Sequence, residues 1–254
     1  MPFRPLAVCL LALLCGLGSG CSMFLQGASL DEKRASVAAY EEHAVAGQPL
    51  RRFVRARIGL LARGRFEDDG GFAIFSNGTA VAVSDDGYFL TAGHCVEGEE
   101  GALFLAPAPL VAFDPGTLRP ARVVWRAPDC DLALLHTELR PQAWVDRWGR
   151  GPLARPPVIG GGFPGTPYVV LAAGHVLEVL HCASEGAVLE VHHDAPVRRG
   201  DSGGPVFSAA GAFLGVNVEG IYHWPFLELT AKALLPDERF VRARIEADRA
   251  ARSR

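Results

Sequence analysis

The chain has 254 residues, 49% of them hydrophobic and 21% charged, which is enough apolar material for a sizeable folded core. A formal net charge of -3 gives neither the basic footprint of a nucleic-acid binder nor an acidic, solvated tail, so nucleic acid is excluded as the expected partner.

In chain order, the first segment places Arg4 before an apolar run from Leu6 to about Leu17, followed by small residues up to Cys21. This is the anatomy of an export signal, and the run is shorter than the roughly 20 apolar residues that a membrane span needs. The small residues before Cys21 resemble a bacterial lipobox, although Gly18 stands where that signal favours Leu. The resemblance implies residues 1–21 as signal peptide and Cys21 as a lipidated first mature residue. Ser22 does not resemble an inner-membrane retention signal, so the expected location is the outer membrane, facing the periplasm or the cell surface.

Residues 22–65 read as a tether with a helical segment. Ser29 and Glu32 form a capping box, and Gly47 and Pro49 are expected to stop the helix. From Phe72 the texture changes to short runs of Val, Ile, Leu and Phe split by Gly, Pro, Asn and Asp, the pattern of an all-β sandwich or barrel. "VSDDGYFL" reads as a hairpin turning at Asp85, Asp86 and Gly87. At the end, Pro236, the apolar set Phe240, Val241 and Ile245, and the Glu238/Arg242 pair predict a closing helix over about 236–250.

Three stretches carry chemistry. "TAGHC" sets His94 where a strand gives way to a turn, "DCDLALLH" sets Asp131 at the start of an apolar strand, and "GDSGGP" holds Ser202 in a tight glycine turn. Taken singly, each has a bland reading as a structural His, a turn Asp and a loop Ser. Together, in this order, they resemble the chymotrypsin-like (trypsin-like) serine proteases, whose triad runs His, Asp, Ser along the chain. The likeness covers roughly Phe72 to Glu246 and is supported by "GFPG" at 162–165 and by "GAFLGVNVEG".

The resemblance implies two six-stranded β-barrels, the first over about 66–140 and the second over about 155–235, within a protease domain at 66–254. The crossover falls near Pro141 to Pro157. It implies a serine endopeptidase acting on protein or peptide substrates through an acyl-enzyme without cofactor, with Ser202 as nucleophile, His94 as base and Asp131 orienting His94. The backbone N–H groups of Gly200 and Ser202 would form the oxyanion hole. Asp129, two residues earlier, is the alternative acid, but only Asp131 directly precedes "LALL". The rival reading is a non-catalytic or latent protein of the same fold, acting as an envelope binding or scaffold protein. HtrA-like quality-control proteases are a looser likeness, since they carry a following peptide-binding domain that finds no match here.

Departures from the family pattern shape further expectations. No "IVGG" stretch supplies an amino terminus for Asp201; the nearest candidate, "RIGLL" at 57–61, is a poor match, so Asp201 is expected to be buried or paired differently and no zymogen cleavage is expected. Pro196 stands where the trypsin branch has its selecting Asp, with Asp194 two residues away. Gly220 matches an open pocket wall, which together favour small or medium apolar side chains before the scissile bond. Arg198 and Arg199 flank the serine turn, where they either favour acidic subsites or form solvated surface. Cys95, Cys130 and Cys182 allow at most one internal bridge, with the pairing open. His192 and His193 are neighbours that a strand would point to opposite faces, so they are not expected to hold a metal. His175 and His181 are assigned no role. The Asn77-Gly78-Thr79 sequon is idle in a bacterial-type protein.

Overall fold

The computed structural model describes residues 48–254 apart from 99, 109–113, 151–154, 166–168, 183, 187 and 224–227. The export signal, Cys21 and the Ser29 capping box lie outside the described residues. Among the described residues no helix is long and apolar enough to cross a membrane.

Twelve strands close into two six-stranded antiparallel barrels. The first comprises β1 (Ile58–Phe66), β2 (Phe72–Ala82), β3 (Tyr88–Ala92), β4 (Ala102–Pro107), β5 (Arg119–Arg126) and β6 (Leu132–Thr137), in the order β1-β2-β3-β6-β5-β4. The second comprises β7 (Pro157–Gly162), β8 (Val170–His181), β9 (Leu189–His193), β10 (Pro205–Ser208), β11 (Phe213–His223) and β12 (Glu228–Leu235), in the order β10-β11-β12-β9-β8-β7. Closure leaves neither sheet with an unpaired edge.

The first barrel opens at Ile58, ahead of the expected boundary near residue 66. "RIGLLARGRF" is buried along both faces and so carries none of the alternation that marks a half-exposed strand. Helix α1 (Gln48–Arg55) begins where a helix stop was expected at Gly47 and Pro49. A proline is tolerated in a first helical turn, whose N–H groups lack intrahelical partners, so Pro49 marks a start here. Phe53 of α1 packs edge-on against Phe207 of β10, with ring centroids 5.1 Å apart. The closing helix α2 (Glu238–Arg252) is capped by Asp237, whose carboxylate accepts from the N–H groups of Arg239 at 2.8 Å and Phe240 at 3.1 Å.

The core has three parts because successive strand residues face opposite ways. Leu61, Ala80, Ala82, Phe89, Leu105, Ala133 and Leu135 fill the first barrel. Their chain neighbours Leu60, Val81, Leu90, Leu132 and Leu134 face outward into a larger cluster shared with Ile159, Phe163, Phe207, Phe213 and Val216 of the second barrel. Val158, Val176, Val191, Val206, Leu214 and Ala233, one from each strand, fill the second barrel.

Polar contacts between the barrels concentrate on Thr79 of β2, which is fully buried. Its N–H donates to the Ser202 carbonyl at 2.8 Å, and its hydroxyl donates to the Gly200 carbonyl at 2.8 Å while accepting from the Phe163 N–H at 3.0 Å. Asn77 Nδ2 donates to the Phe163 carbonyl at 3.0 Å, and Thr91 Oγ1 donates to the Thr79 carbonyl at 2.7 Å. Helix α2 is tied to the first barrel by Val241 and Ile245 and by a two-pronged contact in which Arg249 donates from Nε to Asp86 Oδ2 at 2.9 Å and from Nη2 to Oδ1 at 2.6 Å.

Two outcomes follow from these contacts. Thr79→Val keeps the side-chain shape but leaves the Phe163 N–H and the Gly200 carbonyl without their hydroxyl partner, so denaturant unfolding should show a loss of about 2–3 kcal/mol, largely restored in Thr79→Ser. Arg249 holds the Asp86 carboxyl down to about 2, against desolvation that acts the other way. A carboxylate depressed in the folded state contributes stability that is fully present above its unfolded value near 4 and is lost as pH falls through its folded value. Asp86→Asn should therefore cost about 1 kcal/mol at pH 7, and the difference from wild type should have nearly vanished by about pH 2.

Candidate active site

The β3–β6 pairing brings the first two chemical groups together. Ala92 pairs with Leu132, so the residue before β6, Asp131, lies opposite the tight helical turn Gly93–Val96 that follows β3 and carries His94. Both carboxylate oxygens are used: Oδ1 accepts from the His94 backbone N–H at 2.7 Å, and Oδ2 lies 2.6 Å from His94 Nδ1. Gly93 permits this approach, since a Cβ there would stand 3.0 Å from Asp131 Oδ1 and 3.1 Å from the Leu132 nitrogen. With Nδ1 committed to Asp131, Nε2 is the ring nitrogen left to accept a proton.

The electrostatics follow from that pair. The Asp131 carboxylate, and then the Cys95 thiol, hold the His94 imidazole well above its ordinary value, outweighing burial. Burial pushes the Asp131 carboxyl up, but the His94 hydrogen bonds and charge more than offset it and leave it below the ordinary carboxylate range. The alternative acid, Asp129, faces elsewhere and accepts from the Glu185 N–H at 3.0 Å.

Ser202 lies in a turn leading into β10. Gly200 and Gly203 adopt φ of +98° and +80°, and a Cβ at either would lie 2.2 Å from the Phe163 carbonyl oxygen or 2.0 Å from that of Thr79. Glycine is required at both positions by conformation and by space. Asp201 is fully buried; its Oδ2 accepts from the Arg198 N–H at 2.8 Å while Oδ1 has no hydrogen-bond partner. Burial raises its carboxyl to about 7, with the Arg198 N–H and charge opposing the rise. Among the described residues, no backbone hydrogen bond takes up the N–H of Gly200 or Ser202, and the Ser202 hydroxyl has no hydrogen-bond partner. The Cys95 thiol reaches the Ser202 carbonyl at 3.7 Å, which sets the His94 turn directly beside the serine turn.

A cavity of about 340 Å³ opens at Ser202, lined by Val197, Arg198, Arg199, Asp201, Asn217, Val218, Glu219 and Gly220. Gly220 is on its wall, and the lining begins one residue after Pro196. Asn217 is buried, its Oδ1 2.8 Å from Nε2 of the fully buried His193. Burial lowers the His193 pKa, with the Asn217 hydrogen bond acting the other way. His192 turns the other way and meets Glu190 at 2.5 Å, and no group of residues among those described could hold a metal ion.

Sequence reasoning missed Thr79, Asn217 and the Glu219–Lys232 ion pair at 2.7 Å. Thr79 sits in the Asn77-Gly78-Thr79 motif, read only as a glycosylation sequon. The other three become neighbours only through the β9–β12–β11 pairing.

No curated protein matches the chain. Among solved structures it is similar to the Rv3671c protease from M. tuberculosis in its active form, at 18% identity over 78% of this chain and 83% of that one, with a TM-score of 0.57. It is also similar to the HtrA-type protease AlgW solved with a tripeptide, at 20% identity over 81% of this chain and 61% of that one, with a TM-score of 0.56. At these identities the likeness speaks for the fold, which is the two-barrel fold described above. The family described as trypsin-like peptidase domain matches residues 78–216, more than half of the chain. The chain therefore belongs to the trypsin-like peptidase family and is a trypsin-like serine protease.

Proposed function

We propose that the chain is a serine endopeptidase of the bacterial cell envelope, with Ser202 as nucleophile, His94 as general base and Asp131 as the group that orients His94. One observation supports this most: the doubly hydrogen-bonded His94–Asp131 pair lies beside a serine turn whose Gly200 and Ser202 N–H groups make no backbone hydrogen bond among the described residues. A serine hydroxyl is a weak nucleophile near neutrality, so His94 Nε2 takes its proton as Ser202 Oγ attacks the peptide carbonyl. The Gly200 and Ser202 N–H groups receive the developing oxyanion, each worth about 3 kcal/mol in this kind of site. His94 then returns the proton to the leaving amine, and water attacks the acyl-enzyme by the same route. Asp131 fixes the tautomer and stabilises the imidazolium while remaining ionised.

The pocket walls of Val197, Val218 and Gly220 suit a small or medium apolar side chain before the scissile bond. The buried Asp201, held by the Arg198 N–H, supports a serine turn set without a newly cleaved amino terminus. The export signal and Cys21 support an envelope location as a lipid-anchored protein, and their test is metabolic labelling with a fatty-acid analogue, which should mark the wild type and leave Cys21→Ser unmarked.

The protein lacking residues 1–21 should react with a fluorophosphonate probe without prior proteolysis, and Ser202→Ala should remove all labelling. Persistent labelling in that variant would reject Ser202 as nucleophile, and an unlabelled wild type would mean a latent protein. Asp131→Asn should lower kcat/KM roughly 10⁴-fold, whereas Asp129→Asn should behave as a surface substitution; equal losses would reject Asp131.

The pH profile follows from the raised His94 pKa. The base must be neutral to accept a proton, so a cation held to higher pH moves the acidic limb of kcat/KM upward, above the ordinary histidine value of about 6.5. Asp131→Asn should move the residual limb back down, and a wild-type limb below that value would contradict the assigned pair.

A further inference from the structure

Cys130 and Cys182 come from different barrels and meet at one place. Cys130 immediately precedes Asp131 at the start of β6, and Cys182 immediately follows β8. The turns that carry them are docked on each other: the Glu185 N–H donates to Asp129 Oδ2 at 3.0 Å, and Trp125 Nε1 donates to Glu185 Oε2 at 3.4 Å. Both cysteines are free and half-buried and line one groove of about 390 Å³ that runs past Asp131, Val218, Glu219 and Lys232. The third free cysteine, Cys95, faces Gly78 and the Ser202 carbonyl instead and lines no part of that groove.

We propose that Cys130 and Cys182 are a disulfide-forming pair that crosslinks the two barrels directly beside Asp131. The inference does not depend on catalysis by Ser202. The oxidant is a disulfide compound of the low-molecular-weight or thiol-oxidoreductase class. Burial, with the neighbouring Asp129, Cys182 and Asp131 charges acting in the same direction, pushes the Cys130 thiol up to about 11. Cys130 is therefore a poor first nucleophile and acts second. The Cys182 thiolate attacks one sulfur of the oxidant, forming a mixed disulfide and expelling one thiol. Cys130 then gives up its proton and attacks the Cys182 sulfur, expelling the second thiol. The protein loses two electrons and two protons, and the oxidant is reduced to two thiols.

An exported protein meets oxidising conditions in which such a bridge persists. Joining positions 130 and 182 closes a long loop, so the bridge should raise the unfolding temperature by several degrees. It also fixes the turn before Asp131 against the second barrel.

The test uses the full exported chain, incubated with oxidised or reduced glutathione, alkylated, and examined by peptide mass mapping and thermal unfolding. The expected map after oxidation shows the Cys130 and Cys182 peptides joined within one chain and Cys95 alkylated. The expected shift in Tm is present in wild type and in Cys95→Ser and absent from Cys130→Ser and Cys182→Ser. A bridge that includes Cys95, a bridge between two chains, full alkylation of all three cysteines after oxidation, or a Tm shift that survives Cys130→Ser would overturn the proposal. Fluorophosphonate labelling of the same samples keeps this outcome separate from the assignment of Ser202, since the bridge can form in Ser202→Ala as well.

Discussion

The hydrogen bonds of Thr79 are the constraint on which the arrangement of the site depends. Two closed barrels have no sheet edges to share, so only side-chain packing and a few polar contacts can set their relative placement. Thr79 sits in the wall of the first barrel, yet it binds the Ser202 carbonyl, the Gly200 carbonyl and the Phe163 N–H, all from the second. Gly162 and Gly203 keep the space around it clear: a Cβ at Gly162 would stand 2.2 Å from the Thr79 hydroxyl, and one at Gly203 would stand 2.0 Å from its carbonyl. Such buried polar contacts are directional where apolar packing is not, so they fix the serine turn against the strand pair that carries His94. Thr91, bonded to the Thr79 carbonyl, extends the same network toward the His94 turn.

The site then divides its charge between two carboxylates in opposite conditions. Asp131 has both oxygens occupied by His94, which keeps it ionised although it is partly buried. Asp201 has one oxygen bonded and the other bare, and burial favours its protonated form up to about neutrality. The difference is one of depth and of partners together: Asp201 is fully buried while the Asp131 side chain is about a third exposed, and hydrogen bonds to a carboxylate stabilise the charge that burial disfavours. Nearby Glu219 and Lys232 neutralise one another across the β11–β12 pair and line the groove beside Asp131.

Much of this was legible in the sequence because local chemistry dictates it. The short apolar runs and glycine punctuation announced a β fold, and the Asp85-Asp86-Gly87 turn, with Gly87 at φ +95°, joins β2 to β3 as read. Pro236, the apolar set at Phe240, Val241 and Ile245 and the Glu238/Arg242 pair announced the closing helix, which starts and ends two residues later than expected. His94, Asp131 and Ser202 stood out because glycines, an apolar strand and a fixed chain order surround them. β1 and α1 did not stand out. A strand buried on both faces loses its period-2 signal, and a proline is ambiguous between ending one helix and starting another.

The sequence by itself determined the β texture from residue 72 on, the closing helix, the family likeness and the three candidate groups, since turn glycines, strand alternation and motif order act over a few residues. Only the tertiary structure decided which of Asp129 and Asp131 meets His94, because the choice follows from the β3–β6 register. It alone showed that Thr79 joins the barrels, that Asn217 rests on His193, and that Cys130 and Cys182 share a groove while Cys95 does not. Each of these pairs is separated by many residues along the chain. Their meeting is fixed by barrel closure and strand register, which no local pattern encodes.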